Sequence, residues 1–184
     1  MTRCIYNDHW QELETLTVPI QSQAIQYGTG LFETLRTYEN KSLPFLERHL
    51  ERLFNSISAL NLCCSFSREQ VKEMVLRLVE DYEFELQRIK ILVLPDGVLI
   101  TSSQLVEIAS DSYRLTTWQG KRSMPEHKST SYFDCHLAWQ TAQSQGFDDS
   151  ILVDQTGAIY ETGRANLFWV NNEQLYTRKS DVLP

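Results

Sequence analysis

From Leu31 to Tyr38 polar residues alternate with apolar and aromatic ones in a run rich in β-branched and aromatic side chains, a pattern that predicts a strand. Glu39-Asn40-Lys41-Ser42 then reads as a polar turn. From Pro44 the period changes. Phe45, Leu46, Leu50, Leu53, Phe54, Ile57 and Leu60 recur at helical spacing, with Pro44 suited to a first turn. A second helix is predicted after Ser67, because Ser67-Arg68-Glu69-Gln70 has capping-box form and Val71, Val75, Leu78 and Val79 share a face.

Ahead of these, residues 3–18 read as short strands around a turn at Asn7-Asp8. Behind them, strands at 88–94 and 98–102 flank Pro95-Asp96-Gly97, a hairpin turn by composition. Residues 118–127 carry Gly120, Pro125 and several charges with no period, and are expected to link two lobes. A helix over 132–145, closed by Gly146, is followed by a hairpin at 150–161 around Asp154-Gln155-Thr156-Gly157 and another across Asn171-Asn172. The sum is a mixed α+β chain in two lobes.

Composition narrows the function classes. With 42% hydrophobic and 22% charged residues the 184-residue chain has the make-up of a globular protein, and its net charge of −7 offers nucleic acid no basic footprint. Cys4, Cys63, Cys64 and Cys135 contain no CxxC, and the histidines sit at no metal-ligand spacing, so a reduced, cytoplasmic setting and no metal are expected. The first residues lack the apolar stretch of a signal peptide. No run approaches the ~18 apolar residues of a membrane span, so no membrane partner is expected.

Several polar residues are candidates for chemistry, each with an ordinary alternative. Lys128 borders the interlobe stretch, although a lone loop lysine is usually a solvated surface group. Glu161 shares a strand face with Ile159; the alternative is an edge carboxylate. Arg52 lies on the first helix between Leu50 and Leu53, where an ion pair with Glu47 or Glu51 would also explain it. His49, His127 and His136 have no carboxylate at suggestive spacing and read as structural.

Four segments change this balance together. Tyr27-Gly28-Thr29-Gly30-Leu31-Phe32-Glu33-Thr34-Leu35-Arg36 resembles the YGxGxFExxR segment of the class IV aminotransferases, the fold type IV pyridoxal-phosphate enzymes. His49-Leu50-Glu51-Arg52-Leu53 is similar to that family's HLxRL helix, Lys128-Ser129-Thr130-Ser131-Tyr132 to its KTxNY motif, and Glu161 to Phe168 to its EGxxxNxF motif. The motifs occur in the family's order and cover nearly the whole chain. Ser131 stands where Asn is usual and Thr162 where Gly is common.

The resemblance implies a small α/β lobe over 1–117, an interlobe linker over 118–127 and, over 128–184, the start of a larger β-barrel-like lobe, usually in a homodimer. It implies pyridoxal 5′-phosphate as cofactor. Lys128 would bond to the cofactor aldehyde and move the substrate proton, Glu161 would hold the ring nitrogen protonated, Arg52 would bind phosphate, and Tyr132 would hydrogen-bond the phenolic oxygen. Residues 176–184 resemble the approach to a phosphate-binding turn, so the chain is expected to be a fragment.

Two reactions stay open. Residues 22–36 resemble the branched-chain aminotransferases and point to transfer of an amino group from an amino acid to a 2-oxo acid, with D-amino-acid specificity also open. Lys90 and Ala165-Asn166-Leu167-Phe168-Trp169 point to aminodeoxychorismate lyase, which forms 4-aminobenzoate and pyruvate in folate synthesis. A third reading is an inert relative that lacks the phosphate loop.

Overall fold

The computed structural model describes residues 2–106 and 112–184. The chain divides into two compact units, Met1–Glu107 with Lys128–Thr130, and Ile108–His127 with Ser131–Pro184.

Unit 1 is built on a five-stranded antiparallel sheet in the order β2-β1-β5-β4-β3. Strands β1 (Arg3–Tyr6) and β2 (His9–Glu12) form the first hairpin, and Asn7 and Asp8 supply the positive φ of its tight turn. Strand β3 (Leu31–Arg36) ends the sheet, paired with β4 (Gln87–Leu94), which turns through Pro95-Asp96 into β5 (Gly97–Gln104). Alternation sends Leu31, Leu35, Ile89, Ile91, Val93, Val98 and Ile100 to one buried face.

Two helices cover that face. Helix α2 (Leu46–Ala59) buries Leu46, Leu50, Leu53 and Ile57, and α3 (Arg68–Asp81) buries Val71, Met74, Val75, Leu78 and Val79. The predicted capping box is present: Ser67 Oγ accepts from Gln70 N while Gln70 Oε1 accepts from Ser67 N. Each wholly buried Leu or Ile stabilises this core by about 2 kcal/mol through removal of apolar surface from water. Leu50→Ala would remove that gain and leave a cavity.

Helix α1 (Gln23–Tyr27), absent from the expectations, is capped by Ser22 and ends at Gly28 in the left-handed region. Its role is positional, since it delivers Gly28, Thr29 and Gly30 to the start of β3.

Unit 2 is smaller. Strand β6 (Leu115–Gln119) runs parallel to β7 (Asp149–Val153), which pairs antiparallel with β8 (Ile159–Thr162). Trp118 and Gln119, expected in the linker, therefore belong to a strand. Helix α4 (Phe133–Ser144) lays its small residues Cys135, Ala138 and Ala142 inward, and Gly146 follows at φ +80°. Strands β9 (Phe168–Asn171) and β10 (Gln174–Thr177) form a separate, solvent-exposed hairpin. No described helix is long and apolar enough to cross a membrane.

Candidate active site

Lys128 enters the fold through backbone pairing. The peptide Lys128–Thr130 lies along the open edge of β3: Phe32 N donates to Lys128 O at 2.9 Å, Thr130 N donates to Gly30 O at 2.8 Å, and Leu31 pairs with Ser129. Thr130 Oγ1 adds a bond to Gly28 O at 2.6 Å. At Gly30 a Cβ would stand 2.8 Å from Leu94 Cδ2 and 2.9 Å from Thr130 Oγ1, so one or both side chains would have to shift to admit it. The glycine of the first motif thus permits the docking of the third.

So held, Lys128 is half-buried with its Nζ 4.8 Å from the centroid of the Phe32 ring. The hydroxyls of Thr29 and Ser129 are buried and have no hydrogen-bond partner among the described residues. Buried hydroxyls left in that state cost stability.

Arg52 has a different partner from the two the helix suggested. Its Nε donates to Glu33 Oε1 at 2.6 Å and its Nη2 to Glu33 Oε2 at 2.8 Å, while His49 Nδ1 lies 2.8 Å from the same Oε2. Glu47 instead pairs with Arg68 and Lys72. Glu33 is completely buried on the inward face of β3 between Leu31 and Leu35. Burial pushes its carboxyl upward, but hydrogen bonds from His49 and Arg52 and their charges outweigh it and hold the group below the usual glutamate range.

Glu161 and Tyr132 belong to unit 2, where the structure gathers them around Arg122. Glu161 is 4% exposed and Arg122 5%, with Arg122 Nη1 3.5 Å from Glu161 Oε1, so the carboxylate is interior rather than solvated at an edge. The Arg122 guanidinium lies 5.1 Å from the Tyr132 ring centroid, and its Nη2 donates to His127 O at 2.8 Å. Tyr132 Oη donates to Gly163 O at 2.8 Å, and burial raises its pKa, keeping the phenol protonated and able to donate at neutral pH. Thr162, the departure from the motif, organises the following turn: its Oγ1 accepts from Ala165 N at 2.9 Å and Arg164 N at 3.2 Å.

The four expected residues thus fall into two sets, Lys128 with Arg52 in unit 1 and Glu161 with Tyr132 in unit 2. Glu33, Phe32 and Arg122 are not among the site residues the sequence singles out. Glu33 had a signal, a carboxylate in an otherwise apolar alternating row with His49 and Arg52 at i, i+3 on a facing helix; Arg122, in a stretch without period, had none.

Comparison with known proteins gives a consistent result. The family described as Amino-transferase class IV matches residues 30–184. A branched-chain-amino-acid aminotransferase of Pseudomonas aeruginosa is 24% identical over 94% of this chain and 65% of its own length. D-alanine aminotransferase of Listeria monocytogenes is 32% identical over 43% of this chain and 27% of its own. The chain therefore spans about two thirds or less of these relatives. Among solved structures, a T.th. branched-chain amino acid aminotransferase with pyridoxamine 5′-phosphate superposes at a TM-score of 0.88 with 25% identity, covering 99% of this chain and 69% of that one.

Proposed function

This chain belongs to the class IV aminotransferase family, and on that premise we propose that it carries the reactive lysine of a pyridoxal 5′-phosphate enzyme that moves an amino group from an amino acid to a 2-oxo acid. The observation that carries the reading is the placement of Lys128, the only lysine of the four motifs, which backbone pairing to β3 fixes with its amine over Phe32.

The donor set fits such a cofactor. A buried carboxylate suits a protonated ring nitrogen, a protonated phenol suits a phenolic oxygen, and an arginine held by a buried carboxylate suits a phosphate. The hydroxyls of Thr29 and Ser129 are further buried donors in unit 1. When bound, the cofactor supplies an electron sink for charge developing at the substrate α-carbon.

Lys128 Nζ would hold the cofactor through its aldehyde and would take the substrate α-proton, and both roles would require the neutral amine. Glu161, whose carboxylate lies 3.5 Å from Arg122 Nη1, would hold positive charge at the ring nitrogen by ion pairing. Tyr132 Oη, half-buried and donating to Gly163 O, would turn its single proton from that carbonyl to serve a phenolic oxygen. Glu33 and His49 fix the direction of the Arg52 guanidinium, so that little side-chain entropy remains to be lost when an anion binds.

A second reading, aminodeoxychorismate lyase, has support in Lys90, whose Nζ lies 5.3 Å from the same Phe32 ring. Adding the cofactor to purified protein separates enzyme from inert relative: the enzyme readings expect a visible absorbance band that Lys128→Ala abolishes. Pyruvate release from 4-amino-4-deoxychorismate, with no exchange between amino acids and 2-oxoglutarate, would replace amino-group transfer by the lyase.

A further inference from the structure

We propose that unit 1 carries a second small-molecule site, away from Lys128, that takes a free zwitterionic α-amino acid between Arg3 and Glu83. A cavity of about 640 Å³ is lined in part by Arg3, Asp81, Glu83, Phe84, Ser103 and Gln104. It opens where two strands part: the pairing of β1 with β5 runs from Tyr6 opposite Leu99 to Cys4 opposite Thr101, and β5 continues to Gln104. That volume is within the range of sites that enclose small ligands. Register places Ser103 opposite Arg88 and Arg88 opposite Arg36, four residues along β3 from Phe32, whose backbone N–H bonds to Lys128 O. The cavity therefore lies roughly 13 Å along the strands and roughly 10 Å across the sheet from the level of Lys128.

The walls of the cavity are tied in place. Gln87 is wholly buried; its Nε2 donates to Val79 O at 2.9 Å and Phe84 O at 2.7 Å, and its Oε1 accepts from Ser102 Oγ at 2.7 Å, which fastens the segment after α3 to β4 and β5. Tyr82 Oη donates to Arg3 O and fastens the same segment to β1. The Arg3 guanidinium lies 4.2 Å from the Trp10 ring centroid and meets Asp81 through Nη1, at 2.9 and 2.7 Å from the two carboxylate oxygens, so Nε and Nη2 remain as donors. Glu83 is exposed and forms no salt bridge among the described residues. Phe84 is 40% exposed and offers an aromatic surface beside these charges. An anion alone is repelled here by Asp81 and Glu83, and a cation alone by Arg3. A small zwitterion satisfies both signs: its carboxylate pairs with Arg3, its ammonium with Glu83, and an apolar side chain covers Phe84.

The test titrates the 184-residue chain and its Lys128→Ala variant calorimetrically with L-leucine, with 4-methylvalerate, which lacks the amine, and with 3-methylbutylamine, which lacks the carboxylate; the variant is also titrated with pyridoxal 5′-phosphate present. Leucine is expected to bind at least about tenfold tighter than either analogue, the scale of one charge-assisted contact, and equally well to both chains. Arg3→Gln and Glu83→Gln should each weaken leucine binding by at least about tenfold and remove the preference over the analogue that lacks the paired charge. Glu83 is exposed, so Glu83→Gln reports on the site without disturbing the core, and an unchanged melting curve verifies this. Failure of leucine to bind, binding no tighter than that of the analogues, or affinity unaffected by both substitutions would overturn the assignment. Binding that Lys128→Ala abolishes would also overturn it, by moving the leucine to the reacting amine.

Discussion

Glu33 and Glu161 are both interior carboxylates facing arginines, and they are held differently. Glu33 in unit 1 receives three contacts of 2.6–2.8 Å from Arg52 and His49, on a sheet face packed with aliphatic side chains. Glu161 in unit 2 faces Arg122 at 3.5 Å, within a smaller core built from Cys135, Ala138, Leu152 and Tyr160. A carboxylate closely matched by the chain's own cations works as architecture, because the geometry that offsets its desolvation is already complete. A carboxylate whose arginine stands farther off is suited to share its charge with an incoming cation, which is the role proposed for Glu161.

The same isosteric substitution at both positions tests this division. Glu161→Gln is expected to leave cofactor bound while slowing amino-group transfer by about 10²- to 10³-fold, the scale of a lost electrostatic contact at a reacting centre; steady-state rates together with the visible spectrum would show it. Glu33→Gln should act mainly on the fold. Its amide would turn N–H groups toward donors of Arg52 or His49 and strand a partly buried charge, at a cost of about 3 kcal/mol in urea unfolding. A Glu33→Gln chain as stable as the parent would contradict the architectural assignment.

The pH dependence sharpens the same contrast. The folded carboxyl of Glu33 is held below the ~4.3 of an unfolded glutamate, so its contribution is complete above that value and is lost as pH falls through the lowered folded pKa. Melting temperature should therefore drop below about pH 4, and Glu33→Gln should flatten that part of the curve. The smallest effect serves as a reference for unit 1: Ser67→Ala removes the helix cap and is expected to cost about 1 kcal/mol in unfolding without altering cofactor binding.

How much of this was legible in the sequence depended on the range of the interaction. Helices α2, α3 and α4 announced themselves through period and capping, and the hairpins through turn chemistry, because those signals lie within a few residues. Helix α1 escaped because five residues are too short to show a period. Strand β6 escaped because Leu-Thr-Thr-Trp-Gln is half polar and finds its parallel partner, β7, some thirty residues on. Helical spacing suggests a partner for Arg52 one turn away on its own helix, yet the partner lies 19 residues back on a strand, while Glu47 is taken by Arg68 and Lys72. Lys128, Glu161 and Tyr132 were visible through ordered motifs rather than through pattern. What the motifs left out was how Lys128 is fixed, by Gly30 allowing Thr130 close to the edge of β3.

The central claim is that one amine of this chain bonds to the cofactor, and borohydride reduction followed by peptide mass mapping tests it most directly. After incubation with pyridoxal 5′-phosphate, the account predicts a reduced phosphopyridoxyl group on Lys128 and none in the Lys128→Ala variant. Labelling spread over surface lysines, or unchanged by that substitution, would contradict it.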